Sequence, residues 1–213
     1  MKDNQSVVDD KAEREKMSNF TPVLALQGSP RLKGNTDLLL SETLSVVEAR
    51  GIETEKVDLR RLKISPCLEI YQCLKNGECP IKDDMADLYE KLTAARVIIL
   101  ASPIFFYGPS AQMKSVIDRC QALWARKYVL KQGPPDDLPR RGYVISVAAT
   151  KGRKLFDGLL LTFNSFFDVL HMKIDGQILI RGADQAGEAL QNQDAVIQAR
   201  SMGNDIAQFL ESG

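Results

Sequence analysis

The sequence is poor in the residues that carry much of enzyme chemistry. Among 213 residues there is one histidine and one tryptophan, and neither sign of charge is in excess. A single histidine, His171, makes the chain a poor candidate for a catalytic triad or a zinc site. It follows an apolar helix and reads as structural. Lys plus Arg number 28 and Asp plus Glu number 28, so the basic excess expected of a nucleic-acid or membrane-surface binder is missing. No apolar run approaches the ~20 residues of a membrane span. No apolar stretch follows a basic cluster at Met1-Lys2-Asp3-Asn4-Gln5, so no secretory signal is expected and a cytoplasmic location is. Cysteine is scarce, at four, which points to free thiols or metal ligands rather than a disulfide framework. No internal repeat is present.

What is there suits one globular domain: 44% hydrophobic and 26% charged residues. Residues 1–20 differ from the rest. They mix Lys2, Lys11, Arg14 and Lys16 with Asp3, Asp9, Asp10, Glu13 and Glu15, too polar to form part of a core. They are expected to be a mobile, solvated extension, with the domain over 21–213. Val23–Leu26 and Val97–Ala101 are continuous apolar runs, as strands buried on both faces read. Further strands are expected at Ile52–Leu59, Tyr143–Ala148 and Gln177–Ile180. Helical spacing covers Thr36–Arg50, Asp83–Ala95, Ser110–Ala125, Leu155–Leu170 and Glu188–Leu210. Strands alternating with helices predict an α/β fold, a parallel sheet with helices on both faces. Gly133–Pro139 reads as a loop inserted before the fourth strand.

Gly28-Ser29-Pro30-Arg31-Leu32-Lys33-Gly34-Asn35-Thr36 joins the first strand to the first helix. Backbone N–H groups converge at such a junction and the helix dipole favours an anion, so the place suits a phosphate. Ser29 and Thr36 offer hydroxyls, Asn35 an amide and Arg31 a charge, and Gly34 lets the backbone come close. A P-loop is excluded because position 33 is Lys and Asn35 follows Gly34. A dinucleotide fingerprint is excluded because position 30 is Pro. An ordinary capped strand-to-helix turn would also use small polar residues here.

A second segment, Ser102-Pro103-Ile104-Phe105-Phe106-Tyr107-Gly108-Pro109-Ser110-Ala111, follows the third strand. With both segments in view, the chain resembles the NADPH-dependent FMN reductase family of flavodoxin-like proteins. The resemblance spans roughly residues 22–185 and includes Asp83-Asp84-Met85 before the second helix. It implies a flavodoxin-like three-layer sandwich whose five-stranded parallel sheet has the order 2-1-3-4-5. It implies an FMN-phosphate site at Ser29, Arg31, Gly34, Asn35 and Thr36, and an isoalloxazine site at Pro103, Ile104, Phe105, Phe106 and Tyr107. The order 2-1-3-4-5 puts both segments at one topological switch point. Thr150 and Gly152, after the fourth strand, are a third place for ring contact. Phe105 and Phe106 could equally be core. Lys114, Asp118 and Arg119 read as surface or interface ion pairs, and Trp124 as interface or core.

Cys67, Cys73 and Cys79 follow the second strand. Their spacing resembles the compact cluster motif of the iron–sulfur flavoproteins, a branch of the same family, but the second ligand position holds Ile70. A cubane wants four thiolates, so no metal site is expected; Cys67, Cys73 and Cys79 remain its only candidate ligands. The alternatives are buried thiols and a redox pair of Cys67 with Cys73 or Cys79.

The resemblance implies an FMN-dependent oxidoreductase. Electrons would pass from NAD(P)H as co-substrate through bound FMN to a flavin, quinone or similar small-molecule acceptor, and the flavin would carry the chemistry. It also implies a homodimer or homotetramer. The alternative is a flavodoxin-type or iron–sulfur flavoprotein electron carrier without NAD(P)H turnover of its own. A flavin-binding redox sensor using the thiols is a third reading. The even charge balance speaks against a carrier, which would favour an acidic docking surface. Arg126, Lys127, Lys131, Arg140, Arg141, Lys151 and Arg153 are candidates for the phosphates of the nicotinamide cofactor.

Overall fold

Strand-forming runs and amphipathic helices alternate along the chain, and the computed structural model folds them as that alternation predicts. It describes residues 21–212, so the charged segment 1–20 lies outside the described residues. The strands are β1 (Val23–Gln27), β2 (Thr54–Asp58), β3 (Val97–Ala101), β4 (Arg141–Ala148) and β5 (Ile174–Arg181). They form one parallel sheet in the order β2-β1-β3-β4-β5. The longer helices are α1 (Asn35–Ala49), α3 (Met85–Ala94), α4 (Ala111–Arg119), α6 (Asp157–Val169) and α8 (Gln193–Glu211). Short helices α2 (Cys73–Asn76), α5 (Gln121–Trp124) and α7 (Glu188–Gln191) complete the set.

The period of two along each strand divides the core into two layers. Val23, Ala25, Val97, Ile99 and Ile145 face α1 and α8, meeting Leu40, Leu44, Met202 and Ile206. Leu24, Leu26, Ile98, Leu100 and Val144 face α3, α4 and α6, meeting Leu88, Met113, Val116 and Phe163. All five residues of β1 and of β3 are buried, as strands covered on both faces must be. Gly203 lets α8 lie against α1: a Cβ there would sit 2.6 Å from the Thr43 carbonyl oxygen.

The expected Ser110–Ala125 helix breaks. Arg119 ends α4, Cys120 caps it, and after α5 the chain widens into a π-turn at Ala125–Val129. The last helix also divides, because the Asn192 side chain accepts from the Ala195 N–H at 3.2 Å and starts α8 afresh. His171 takes a left-handed φ of 58° just past α6. Its N–H donates to the Asp168 carbonyl and that of Met172 to the Phe167 carbonyl, the Schellman closure of α6.

Candidate functional site

A parallel sheet directs the amino ends of its following helices toward the carboxyl ends of its strands, and at the β1/β3 switch point a crevice opens between them. Here that crevice is an open cleft. Ser29, Pro30, Arg31, Gly34, Asn35 and Thr36 line one wall, Pro103, Ile104 and Phe105 another, and Val147, Ala149, Ala183, Asp184 and Ala186 the rest.

The phosphate-type wall is built by local bonds. Ser29 donates its N–H to Gln27 Oε1 at 3.1 Å, and its hydroxyl accepts from the Arg31 N–H at 3.2 Å. Gly34 is the N-cap of α1 and supplies no side chain. A Cβ at Gly34 would lie 3.2 Å from Ser29 Oγ, so a side chain there would crowd the cradle. Thr36 is buried, lines the cleft, and its hydroxyl has no hydrogen-bond partner among the described residues. An unpaired hydroxyl at a helix amino end, beside open backbone N–H groups, fits a phosphate ester.

Asn35 lines the cleft, but its amide is otherwise engaged. Nδ2 donates to the Gln185 carbonyl at 2.9 Å and the Ala183 carbonyl at 3.4 Å. Oδ1 accepts from the N–H groups of Gly187 at 3.0 Å and Ala189 at 3.2 Å. The expected phosphate ligand is thus a clasp that holds the loop after β5 over the cleft. Arg31 takes part too, donating to the Asp184 carbonyl at 2.9 Å, yet its side chain stays two-thirds exposed at 66%. That loop was not singled out in the sequence. The signal for it is topological: right-handed crossovers place α1 and α8 on one face, so the chain entering α8 must pass over the start of α1.

The ring-side wall is positioned by buried serines. Ser110 Oγ donates to the Gly28 carbonyl at 2.5 Å, tying the two loops together, and accepts from the Met113 N–H as N-cap of α4. Ser102 Oγ accepts from the Ser110 N–H at 3.0 Å, and Ser146 Oγ donates to the Ser102 carbonyl at 2.7 Å. Beyond Phe105 the chain turns sharply. Phe105 and Gly108 exchange two backbone hydrogen bonds of 3.0 Å. The two central residues, Phe106 and Tyr107, both have positive φ, at 49° and 64°. That is the type I′ pattern, which favours Asn and Gly and is strained for bulky residues. Phe106 is fully exposed, and Gly158 packs so near the Tyr107 carbonyl that a Cβ would lie 2.7 Å away. Phe106 and Tyr107 are outside the cleft lining, as are exposed Thr150 and Gly152. The Thr150 and Gly152 carbonyls accept from Gly182 N–H and Arg181 Nε instead.

Of the basic residues offered for a nicotinamide cofactor, Lys151 and Arg153 follow the carboxyl end of β4 but are not in the cleft lining, and Arg140 and Arg141 lie far from it. Arg140 and Arg141 stand at the amino end of β4, the opposite edge of the sheet from Ala148. Arg140 bonds the Thr93 and Ala95 carbonyls and pairs with Asp136 at 3.0 Å. Arg141 pairs with Asp175 at 2.8 Å and lies over the Phe209 ring. The expectation treated neighbours in sequence as neighbours in space, but an eight-residue strand separates them by about 23 Å.

A second cavity lies in the loop between β2 and α3. Cys67, Ile70, Tyr71, Cys73 and Cys79 line it together with Arg119. Both ends of this loop are fastened to one buried ion pair. Arg119 Nη1 donates to Asp83 Oδ2 at 2.6 Å and to the Ser65 carbonyl at 3.0 Å, and Nη2 donates to Asp83 Oδ1 at 3.2 Å. Asp83 also accepts from the N–H groups of Ser65 and Met85. Burial pushes the Asp83 carboxyl up, and the bonds from Arg119, Ser65 and Met85 outweigh it, so its pKa is held below the usual carboxylate value. Burial opposes the charge on Arg119, and Asp83 more than restores it. Lys114 and Asp118, by contrast, form an exposed pair along α4.

This donor set does not fit a four-thiolate cluster. Cys120, the fourth cysteine, is 3% exposed in the core under α4, and burial raises its pKa. Three thiols therefore remain, and no group of three or more His, Cys, Asp or Glu among the described residues is placed to hold a metal ion.

Sheet order and the switch-point cleft define a flavodoxin-like protein. The chain belongs to the NADPH-dependent FMN reductase family, whose model matches residues 21–174. It is 42% identical over 143 residues to an iron–sulfur flavoprotein of Archaeoglobus fulgidus, covering 66% of this chain and 70% of that one. It is 30% identical over 158 residues to an iron–sulfur flavoprotein of Methanosarcina thermophila, covering 74% and 76%. In structure it is similar to the NAD(P)H:quinone oxidoreductase of Methanothermobacter marburgensis, with a TM-score of 0.64 at 16% identity over 86% of this chain and 94% of that one. No helix among the described residues is long and apolar enough to cross a membrane.

Proposed function

We propose that the protein is an FMN-based electron carrier that exchanges electrons with a redox partner rather than turning over NAD(P)H itself. The observation that carries this reading is the cleft at the β1/β3 switch point, whose lining includes Thr36 at the amino end of α1. The backbone at Gly34–Thr36 with Ser29 and Thr36 would hold the phosphate. Pro103, Ile104 and Phe105 would offer a largely apolar wall to the ring. FMN, when bound, supplies reversible one- and two-electron chemistry; the chain supplies its position and excludes water from one side. Asn35 and Arg31 act on the loop over the cleft, so they position rather than bind. Exposed Phe106 and Tyr107 offer an aromatic surface next to the ring wall for an electron acceptor.

The even total of charges speaks against a carrier, but their placement speaks for one. Arg140 and Arg141 are engaged at the far edge of the sheet, and Arg31 is the only Lys or Arg in the cleft lining. A second reading, an NAD(P)H-dependent reductase of a flavin, quinone or similar acceptor, is favoured by the family's description. Anaerobic mixing separates the two. Dithionite should reduce the bound flavin at once, while NADH and NADPH reduce it slowly and without saturation. Fast, saturating reduction by either nucleotide would replace the carrier with the reductase. Failure to bind FMN would remove both.

A further inference from the structure

The cleft leaves the cysteine loop without a role, and the loop's own chemistry indicates one. The described residues contain four cysteines, all free, and Cys120 is sealed in the core. Cys67, Cys73 and Cys79 share one cavity, and between them Ile70 presents an apolar side chain to the same space, 54% exposed. A cubane held by this loop would lack a thiolate where Ile70 stands. Among the three thiols two are more closely associated. Cys79 packs against the small cluster of Cys73, Ala122 and Ala125, and Cys67 does not. Gly77, with φ of 77°, closes α2 between them and turns the chain back from Cys73 toward Cys79.

We propose that this loop is a dithiol–disulfide site formed by Cys73 and Cys79, not the seat of a four-iron cluster, and that its oxidant is a small organic disulfide. Cys79, the more accessible thiol of the pair, loses its proton and attacks as thiolate one sulfur of the disulfide RSSR, forming a mixed disulfide and releasing RS⁻, which takes up that proton as RSH. Cys73 then gives up its proton and attacks the Cys79 sulfur as thiolate, forming the Cys73–Cys79 bond and releasing the second RS⁻, protonated to RSH. The two thiol protons leave with the two RSH, so two electrons pass from the protein to RSSR. Cys73 is the more deeply buried of the two cysteines, so an incoming disulfide meets Cys79 first and Cys73 resolves the mixed disulfide. The cavity gives the disulfide its way in. This site is separate from the FMN cleft, and none of its readouts depends on flavin.

Two measurements test it on the full-length protein. The first is incubation with oxidised glutathione, alkylation of remaining thiols, and mass spectrometry of the digest. The expected result is a Cys73–Cys79 cross-link with Cys67 and Cys120 free, and in Cys73→Ala a glutathione adduct trapped on Cys79. A digest with all four thiols free, or with Cys67 in the cross-link, would overturn the proposal. The second is anaerobic reconstitution with ferrous iron and sulfide, for the natural sequence and for Ile70→Cys. Cluster absorption in the variant alone is expected; a full four-iron cluster in the natural sequence would overturn the proposal. A circular dichroism spectrum unchanged by Ile70→Cys or Cys73→Ala shows that the fold is intact.

Discussion

Two cavities of this molecule are held in opposite ways. The cleft at the strand ends is fastened by many neutral hydrogen bonds, spread over Ser29, Asn35, Ser102, Ser110 and Ser146. The cysteine loop hangs at both ends on one buried charged pair, Arg119 with Asp83. Distributed bonding keeps a shape when one member is lost. A single buried pair fails as a unit, because removing one partner leaves the other charge uncompensated in the interior.

The sharpest way to break the contrast is Asp83→Ala. It should cost about 3–5 kcal/mol in urea unfolding, the range for an orphaned buried charge, and loosen the cysteine loop more than the cleft. Hydrogen exchange at 65–82 against 29–36 reads the difference. The acid limb sharpens it. Because the folded-state pKa of Asp83 is depressed, its stabilisation is complete above the unfolded carboxylate pKa and disappears as pH falls through the depressed value. In Asp83→Asn that part of the acid dependence should be absent, and a titration of Tm gives the answer.

Next in size is Asn35→Ala. Losing the clasp should cost about 2 kcal/mol, since the N–H groups of Gly187 and Ala189 lose their acceptor. FMN affinity measured by fluorescence titration should fall with it. The turn should respond in the other direction. Replacing Phe106 by Asn and Tyr107 by Gly suits the positive φ values and should raise stability by about 1–2 kcal/mol, while slowing electron transfer to an added acceptor. The smallest stability change is expected for Thr36→Val. With no internal partner to lose, it should stay within about 0.5 kcal/mol of the parent. Its FMN affinity should still fall about tenfold, the equivalent of one hydrogen bond. Equal losses of stability in Asn35→Ala and Thr36→Val would erase the distinction between a positioning and a binding residue.

The sheet was legible because its strands announce themselves: Val97–Ala101 is buried on both faces, and the apolar run ends where the strand does. The phosphate-type loop was legible because its residues are local, within one strand-to-helix junction. Other features depend on distant partners that no window of sequence contains. Asn35 reads as an anion ligand until its amide is seen to be occupied by residues about 150 positions away. Arg140 and Arg141 read as neighbours of the site until β4 carries the chain across the sheet. The break at Cys120 was hidden because Gln121–Trp124 continues the helical spacing, although the axis does not continue.

The clasp at Asn35 also orders events in time. Its partners, Ala183 through Ala189, emerge from a ribosome only after all five strands have been made. A nascent chain can pair β1 with β2 and β3 while the cleft still lacks its outer wall. Closure of the site is therefore among the last steps of folding, a contact of long sequence separation formed on a sheet already in place. A chain that stopped before residue 183 would lose that wall together with α8, which covers one face of the sheet. Competence to hold a cofactor is in this way tied to completion of the polypeptide.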